Sequence, residues 1–234
     1  VSYAESEAQI RRVYALLVWF FLNTHYLYGS RGPQVPRIID CIQGSDEWLV
    51  QRCGVITASN FSKVFTGAGK ASTQADALIN TLVAERITGK PTETFKSDAM
   101  QRGNDLEPEA RDMFELETGL LTEQVGLIKM DDYEIGCSPD ALIIGEDCGL
   151  EIKCPSASTM IAYKRSGALP SAYVQQVQGC MLVTGRSSWW FYAYHPDMSP
   201  FVLHVKRDDK LLAAAEELLI ETAIKINELT ETLK

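Results

Sequence analysis

The chain has no C-x-x-C pair and no histidine at zinc-ligand spacing, so its six cysteines, at 41, 53, 137, 148, 154 and 180, indicate neither a zinc ribbon nor a dithiol redox motif. An iron–sulfur cluster would want grouped cysteines near the chain end, and none follows Cys180. They read as mostly buried thiols in a reducing cytosol. No period recurs, which excludes a repeat architecture. Basic charge is in short supply: Lys+Arg 22 against Asp+Glu 31 leaves a formal net charge of -9. A nucleic-acid partner would have to be met by a local basic patch or through metal ions, not by global attraction. Carboxylates gathered around divalent cations would add to that deficit while attracting phosphates. A membrane span is lacking too. "VYALLVWFFL", Val13 to Leu22, follows Arg11 and Arg12 but is too short to cross a bilayer, and no convincing cleavage site comes after it. A packed helix or protein interface is favoured there over a gene-start artefact and over a membrane or export role.

What is present is ordinary for a folded protein. Hydrophobic residues at 46% and charged residues at 23% leave ample core material for 234 residues, one large domain with an appended arm. "GSRGPQVP", residues 29–36, is the Gly/Pro-rich linker, so an arm over 1–36 precedes a catalytic domain over 37–234. "SDEWLVQR" predicts a short helix capped by Ser45, with Trp48 and Arg52 on one face. Further helices are predicted from Thr57, over Ala75–Thr88 before Gly89, and over Ala99–Thr118 before Gly119. Period-two patterning then predicts strands over Val125–Met130, Glu134–Ser138, Ala141–Ile144 and Gly149–Cys154, with "GEDCG" as the last hairpin turn. Two helices, the strands "SSWWFYAYH" and "PFVLHVKR", and a long amphipathic helix with Leu212, Leu219, Ile226 and Leu233 seven apart complete the chain. This order is α/β in the broad sense (α+β): a central mixed, mainly antiparallel sheet flanked by helices.

The chemistry starts at "GLEIKCP", 149–155, where Glu151 and Lys153 share one strand face and Leu150, Ile152 and Cys154 the other. Taken alone, this reads best as an exposed, salt-bridged edge strand. The hairpin partner changes the balance, because Asp140 sits across the turn and register brings its carboxylate toward Glu151. Two buried carboxylates repel unless a cation neutralises them, and a hard ion such as Mg2+ takes oxygen ligands. Lys153 cannot bind a metal but can orient a water and help deprotonate it. The spacing D-x10-E-x-K, with Pro139 before Asp140, is the PD-(D/E)xK nuclease signature.

The likeness extends further. "WLVQRCGVITASNF", "RGNDLEPEARDMFE", "CSPDALI", "GLEIKCP" and "AYVQQVQGCMLVTG", from about Ser45 to Arg207, resemble in order the motifs of the bacteriophage lambda exonuclease and YqaJ-type viral recombinase family. The resemblance implies a PD-(D/E)xK restriction-endonuclease-like core with Asp140, Glu151 and the Ile152 carbonyl as metal ligands, Glu107 near a second metal, and Lys153 as the catalytic lysine. Tyr173 and Gln176 match a Y-x-x-Q that supports the lysine and the attacking water. Arg52, Ser59 and Ser138 match positions that grip a 5′-terminal phosphate. Bland readings stand beside these: Asn104 and Glu107 have capping-box spacing, Tyr173 and Gln176 are unremarkable on an amphipathic helix, and an arginine four past a tryptophan is often a stem packed on a ring.

The implied activity is degradation of one strand of linear double-stranded DNA from its 5′ end. It would use two Mg2+ ions per site, with Mn2+ able to substitute, release 5′-mononucleotides and leave 3′ overhangs. The implied partners are DNA with a 5′-phosphate end and a single-strand annealing protein, in a homotrimeric ring within a bacterial cytoplasm carrying the phage or prophage. The aromatics of "SSWWFYAYH" fit a core strand better than a base-stacking platform, and His25, His195 and His204 are too scattered to be ligands. Two rivals remain: a noncatalytic DNA-end or protein-binding module, and a sequence-specific endonuclease. The clustered carboxylates speak against the first, and the lack of a base-reading insertion against the second.

Overall fold

In the computed structural model, which describes residues 36–92, 98–130 and 132–234, the strands are short and divide into two mixed sheets. The first has the order β1 (Arg37–Ile39), β4 (Leu127–Lys129), β5 (Ile135–Cys137), β2 (Ile56–Thr57). The second has the order β3 (Thr122–Glu123), β6 (Ala141–Ile143), β7 (Cys148–Lys153), β8 (Ser188–His195), β9 (Met198–Lys206). Neighbours are antiparallel except for β2 with β5 and β7 with β8, which are parallel. A parallel pair needs a crossover connection. Between β7 and β8 it consists of α4 (Ala157–Ser166), a 3₁₀ turn (Ser171–Tyr173) and α5 (Val174–Thr184). The remaining helices are α1 (Asp46–Arg52), a 3₁₀ helix (Ala58–Lys63), α2 (Ala75–Thr88), α3 (Asp98–Thr118) and α6 (Asp209–Leu233). All of this lies in the compact unit Pro36–Lys234. The apolar arm and all of its linker but Pro36 lie outside the described residues.

Two buried clusters pack on β8 from opposite sides, and the smaller takes in β7 as well. Leu150 and Ile152 join Phe114 of α3 and Tyr192 in the smaller one. Trp189 and Phe191 join Phe61, Val177 of α5, and Leu219 and Ile226 of α6 in the larger. The aromatic strand is therefore a core strand, with Trp189, Phe191 and Tyr192 at 0% exposure. Burial on both faces explains why the sequence there shows an apolar run and not a clean alternation. Helix α6 packs on α2; Leu212, Leu219 and Ile226 are buried, whereas Leu233 is exposed at the end of the stripe.

Two local features depart from expectation. The segment from Thr57 forms a 3₁₀ helix of six residues and not an α-helix. The capping box at Asn104 and Glu107 does not form, because α3 begins at Asp98 and both residues lie in its interior. Pro108, also inside α3, has no N–H to return to the preceding turn, so the helix is carried through that point by its packing.

The hairpin that matters for chemistry pairs Ala141 with Leu150 and Leu142 with Gly149. Continued by one step, this register sets Asp140 opposite Glu151. Gly149 is required by close approach, since a Cβ there would meet the Trp189 ring at 2.3 Å.

Candidate active site

Asp140, immediately before β6, is half-buried overall, and its Oδ2 accepts the Ile152 backbone N–H at 2.5 Å. Burial raises its carboxyl above the usual range, with the Lys153 charge, the Ile152 amide and Arg111 acting in the opposite direction. Glu151, opposite it, is fully buried. Its Oε1 accepts from Gln176 Nε2 at 2.6 Å and from Lys153 Nζ, while Oε2 is buried with no hydrogen-bond partner. Burial pushes this carboxyl up to about 7; Asp140 and Glu107 add to the rise and Lys153 opposes it. Lys153 is drawn down by burial, but Glu151 and Asp140 outweigh that and hold it above its ordinary value. It therefore stays charged beside the two acids. Its ammonium lies 5.2 Å from the centre of the Tyr173 ring, a cation–π distance that fixes the long side chain against one wall.

Tyr173 closes the 3₁₀ turn and Gln176 stands in the first turn of α5, so the expected single helix is split between them. The Tyr173 hydroxyl accepts from Tyr163 of α4 at 3.4 Å. Glu107 approaches from α3, where Arg111 Nη2 donates to its Oε1 at 2.5 Å. Burial raises the Glu107 carboxyl, followed by the Asp140 charge, against Arg111 and Lys153. With the Gln124 amide oriented to satisfy its hydrogen bonds, its oxygen accepts from Arg111 Nη1 and Nη2 at 3.2 and 2.9 Å. Sequence reasoning missed Arg111, although its spacing of four from Glu107 on a helix was the available signal.

Among the described residues no three His, Cys, Asp or Glu side chains form a closed ligand cluster. Each acid is turned to a donor: Asp140 to the Ile152 amide, Glu151 to Lys153 and Gln176, Glu107 to Arg111. The set still fits a hard divalent cation. An ionised buried carboxylate with one oxygen unpartnered is costly, and a cation is the partner that relieves the cost.

The second half of the site gathers around Ser138, two residues upstream of Asp140 in the link between β5 and β6. Arg52, the last residue of α1, donates from Nη1 to Ser138 Oγ at 3.1 Å and from Nη2 to Thr57 Oγ1 at 3.3 Å and Ser59 Oγ at 3.5 Å. Its guanidinium lies over the Trp48 ring, 4.2 Å from the centroid, and burial lowers its pKa. Ser45 caps α1 by accepting from the Trp48 amide at 3.2 Å, which starts the helix where both side chains fall on one face. Among the described residues the direct side-chain hydrogen-bond partners of Arg52 are neutral, so this half-buried cation is held without a carboxylate contact. Ser138 Oγ also accepts from Trp48 Nε1 at 3.0 Å. With both lone pairs engaged, its hydroxyl proton is available to an incoming acceptor. Thr57, buried and bonded to Ser59 at 3.1 Å, was not singled out from sequence.

Other candidates stay outside. His204 stacks on Trp190 at 4.4 Å and His195 bonds the Asp197 amide at 3.2 Å; His25 lies outside the described residues. Cys154 follows Lys153, and burial raises its thiol to about 11, which keeps it a thiol at neutral pH.

Two mixed, mainly antiparallel sheets flanked by helices, with Asp140 and the Glu151–Lys153 pair at one hairpin, match the fold of the PD-(D/E)xK nucleases. Residues 47–187 match the YqaJ-like viral recombinase domain, and the chain belongs to that family. Among solved structures, an alkaline exonuclease from Laribacter hongkongensis superposes with a TM-score of 0.73 at 31% identity over 81% of this chain and 96% of its own. The same enzyme in complex with dAMP gives 0.73 at 33% identity over the same shares. A phage-related exonuclease from Haemophilus somnus shares the fold, with a TM-score of 0.59 at 14% identity over 77% of this chain and 96% of its own. The ExoD protein of Escherichia coli K12 is 38% identical over 64 residues, 26% of this chain and 74% of its own length. Family and fold together support a nuclease of phage-type recombination.

Proposed function

We propose that the chain is a Mg2+-dependent exonuclease that digests one strand of linear double-stranded DNA from its 5′ end, releasing 5′-mononucleotides and leaving a 3′ overhang. The observation that carries this is the unpartnered, fully buried Oε2 of Glu151 beside Asp140 and Lys153. Asp140, Glu151, the Ile152 carbonyl and Glu107 would hold the metal, and Mn2+ could replace Mg2+. When bound, such ions supply Lewis-acid activation of water and charge stabilisation of the leaving oxygen.

The chain's own groups do the rest. Lys153 places a positive charge beside the scissile phosphate and orients water, steadied by the Tyr173 ring. Gln176 holds Glu151 in its rotamer. Arg52 offers a planar fork and Ser138 and Ser59 offer hydroxyls to a terminal 5′-phosphate, replacing its hydration with fixed donors. Such contacts carry no base information, so the enzyme would select an end and not a sequence. The dAMP bound by the Laribacter relative is a nucleoside monophosphate, the product class proposed here.

The family resemblance carries the rest: a homotrimeric ring, a single-strand annealing protein as partner, and action in the bacterial cytoplasm. Among the described residues no helix is long and apolar enough to cross a membrane. Incubating the protein with 5′-phosphorylated linear duplex and with closed circular duplex, each with and without Mg2+, tests the activity. Mononucleotide release from the linear form with Mg2+ alone is expected. Nicking of the circle, or digestion in EDTA, would overturn the reading.

A further inference from the structure

Gln43 lies in the loop between β1 and α1 and is absent from both halves of the site, yet it is tied to the segment that joins them. Its Nε2 donates to the Pro139 carbonyl at 2.7 Å and to the Val125 carbonyl at 2.8 Å. A primary amide nitrogen has two protons to give, and both are used on main-chain oxygens of segments distant in sequence. Pro139 has no N–H and a fixed φ, so its carbonyl is the backbone group through which that residue can be anchored. The loop and the 125–126 segment are in close contact, since a Cβ at Gly126 would meet the Cys41 carbonyl oxygen at 2.2 Å. Trp48 Nε1 donates to the Gly126 carbonyl at 3.3 Å on the same seam.

The residue anchored by Gln43 has one half of the site on each side. Ser138 contributes its hydroxyl to the Arg52 clamp, and Asp140 contributes its carboxylate to the acidic notch. Two residues of extended chain span at most roughly 7 Å, which is on the scale of one nucleotide of a single strand. The distance between the group that grips the end and the group that serves the cut is therefore set by a short backbone segment that, among the described residues, has one side-chain tether at its middle.

We propose that Gln43 is a positioning residue that fixes the separation between the terminal-phosphate clamp and the acidic notch, and through it the length of the product released at each cut. This rests on the exonuclease reading above. No contact of Gln43 with DNA is invoked; it acts through Pro139.

The test compares wild type with Gln43→Met, which keeps the volume and removes both donors, and with Gln43→Asn, which keeps the amide but shortens its reach. The substrate is linear duplex carrying either a 5′-phosphate or a 5′-hydroxyl, with products resolved by mass. Wild type should release mononucleotides. Both variants should release dinucleotides alongside them and lose about tenfold of the preference for 5′-phosphate ends, the scale of one or two hydrogen bonds. Thermal unfolding establishes which variants are folded, and Gln43→Asn serves if Gln43→Met is not. A folded variant that is slower but still makes only mononucleotides with unchanged 5′-phosphate preference would overturn the proposal, since a purely structural role gives that result. If wild type itself releases no mononucleotides, the exonuclease reading fails, and that failure appears before any variant is compared.

Discussion

Gln176 donates its side-chain amide to Glu151 Oε1 at 2.6 Å. Lys153 engages the same oxygen, so one oxygen of this buried carboxylate has two donors and the other has none. The asymmetry marks where a positive ion belongs, on a carboxyl that burial drives up to about 7.

A pH dependence follows from that shift. Folding raises the Glu151 pKa from the ordinary 4.5 to about 7 because of burial. Between those values the folded state keeps a proton that the unfolded chain has released, so the stability of ion-free protein falls as pH rises through the window and levels off above it. The size is on the order of 3 kcal/mol, at about 1.4 kcal/mol per unit. Urea unfolding in EDTA at pH 5 and pH 8 should show the loss, and Glu151→Gln should flatten it. An equal slope in the variant would contradict the assignment.

Arg52→Gln should affect phosphorylated ends alone. Loss of the charged fork is expected to slow digestion of 5′-phosphorylated duplex by roughly 10- to 100-fold, the scale of charge-assisted hydrogen bonds, while digestion from 5′-hydroxyl ends stays near wild type. Initial rates on the two substrates measure this. Equal losses on both would remove Arg52 from the clamp.

Gly179→Ala tests the packing that places Gln176 and Ser59. An added Cβ at 179 in α5 would meet Phe61 Cδ2 at 2.1 Å, and Phe61 is fully buried in the 3₁₀ helix. Overpacking of this kind costs about 1–3 kcal/mol, or roughly 5 °C in Tm for a chain of this size. Unchanged melting would mean that the two elements part more easily than their contact implies.

Much of this architecture was legible because local rules and tertiary packing agree. The helix Ala75–Thr88 has its expected bounds, since a left-handed Gly89 ends it. The β6–β7 hairpin was readable from its turn, and through it the opposition of Asp140 and Glu151. Ser138 is far in sequence from Arg52 and Ser59, and the three were grouped only by family resemblance; the structure brings them together. What was not legible depends on distant partners. Strand β3 is two residues paired to β6, too short to carry a period. Arg111 gains part of its significance from Gln124, thirteen residues on and off its helix, and Thr57 from the way Arg52 folds back over it, contacts that helix periodicity does not announce. Glu151 and Lys153 alone looked like an exposed pair, because the burial of Glu151 is decided by α5 and β8 and not by its own strand.

The most direct measurement is of Lys153→Ala on 5′-phosphorylated linear duplex, following cleavage with Mg2+ and binding by fluorescence anisotropy. Cleavage should fall by at least about 100-fold, as expected for loss of a group that serves proton transfer and charge stabilisation, with binding of the duplex end largely retained through Arg52. Cleavage at the wild-type rate would contradict the account of the acidic notch and its lysine.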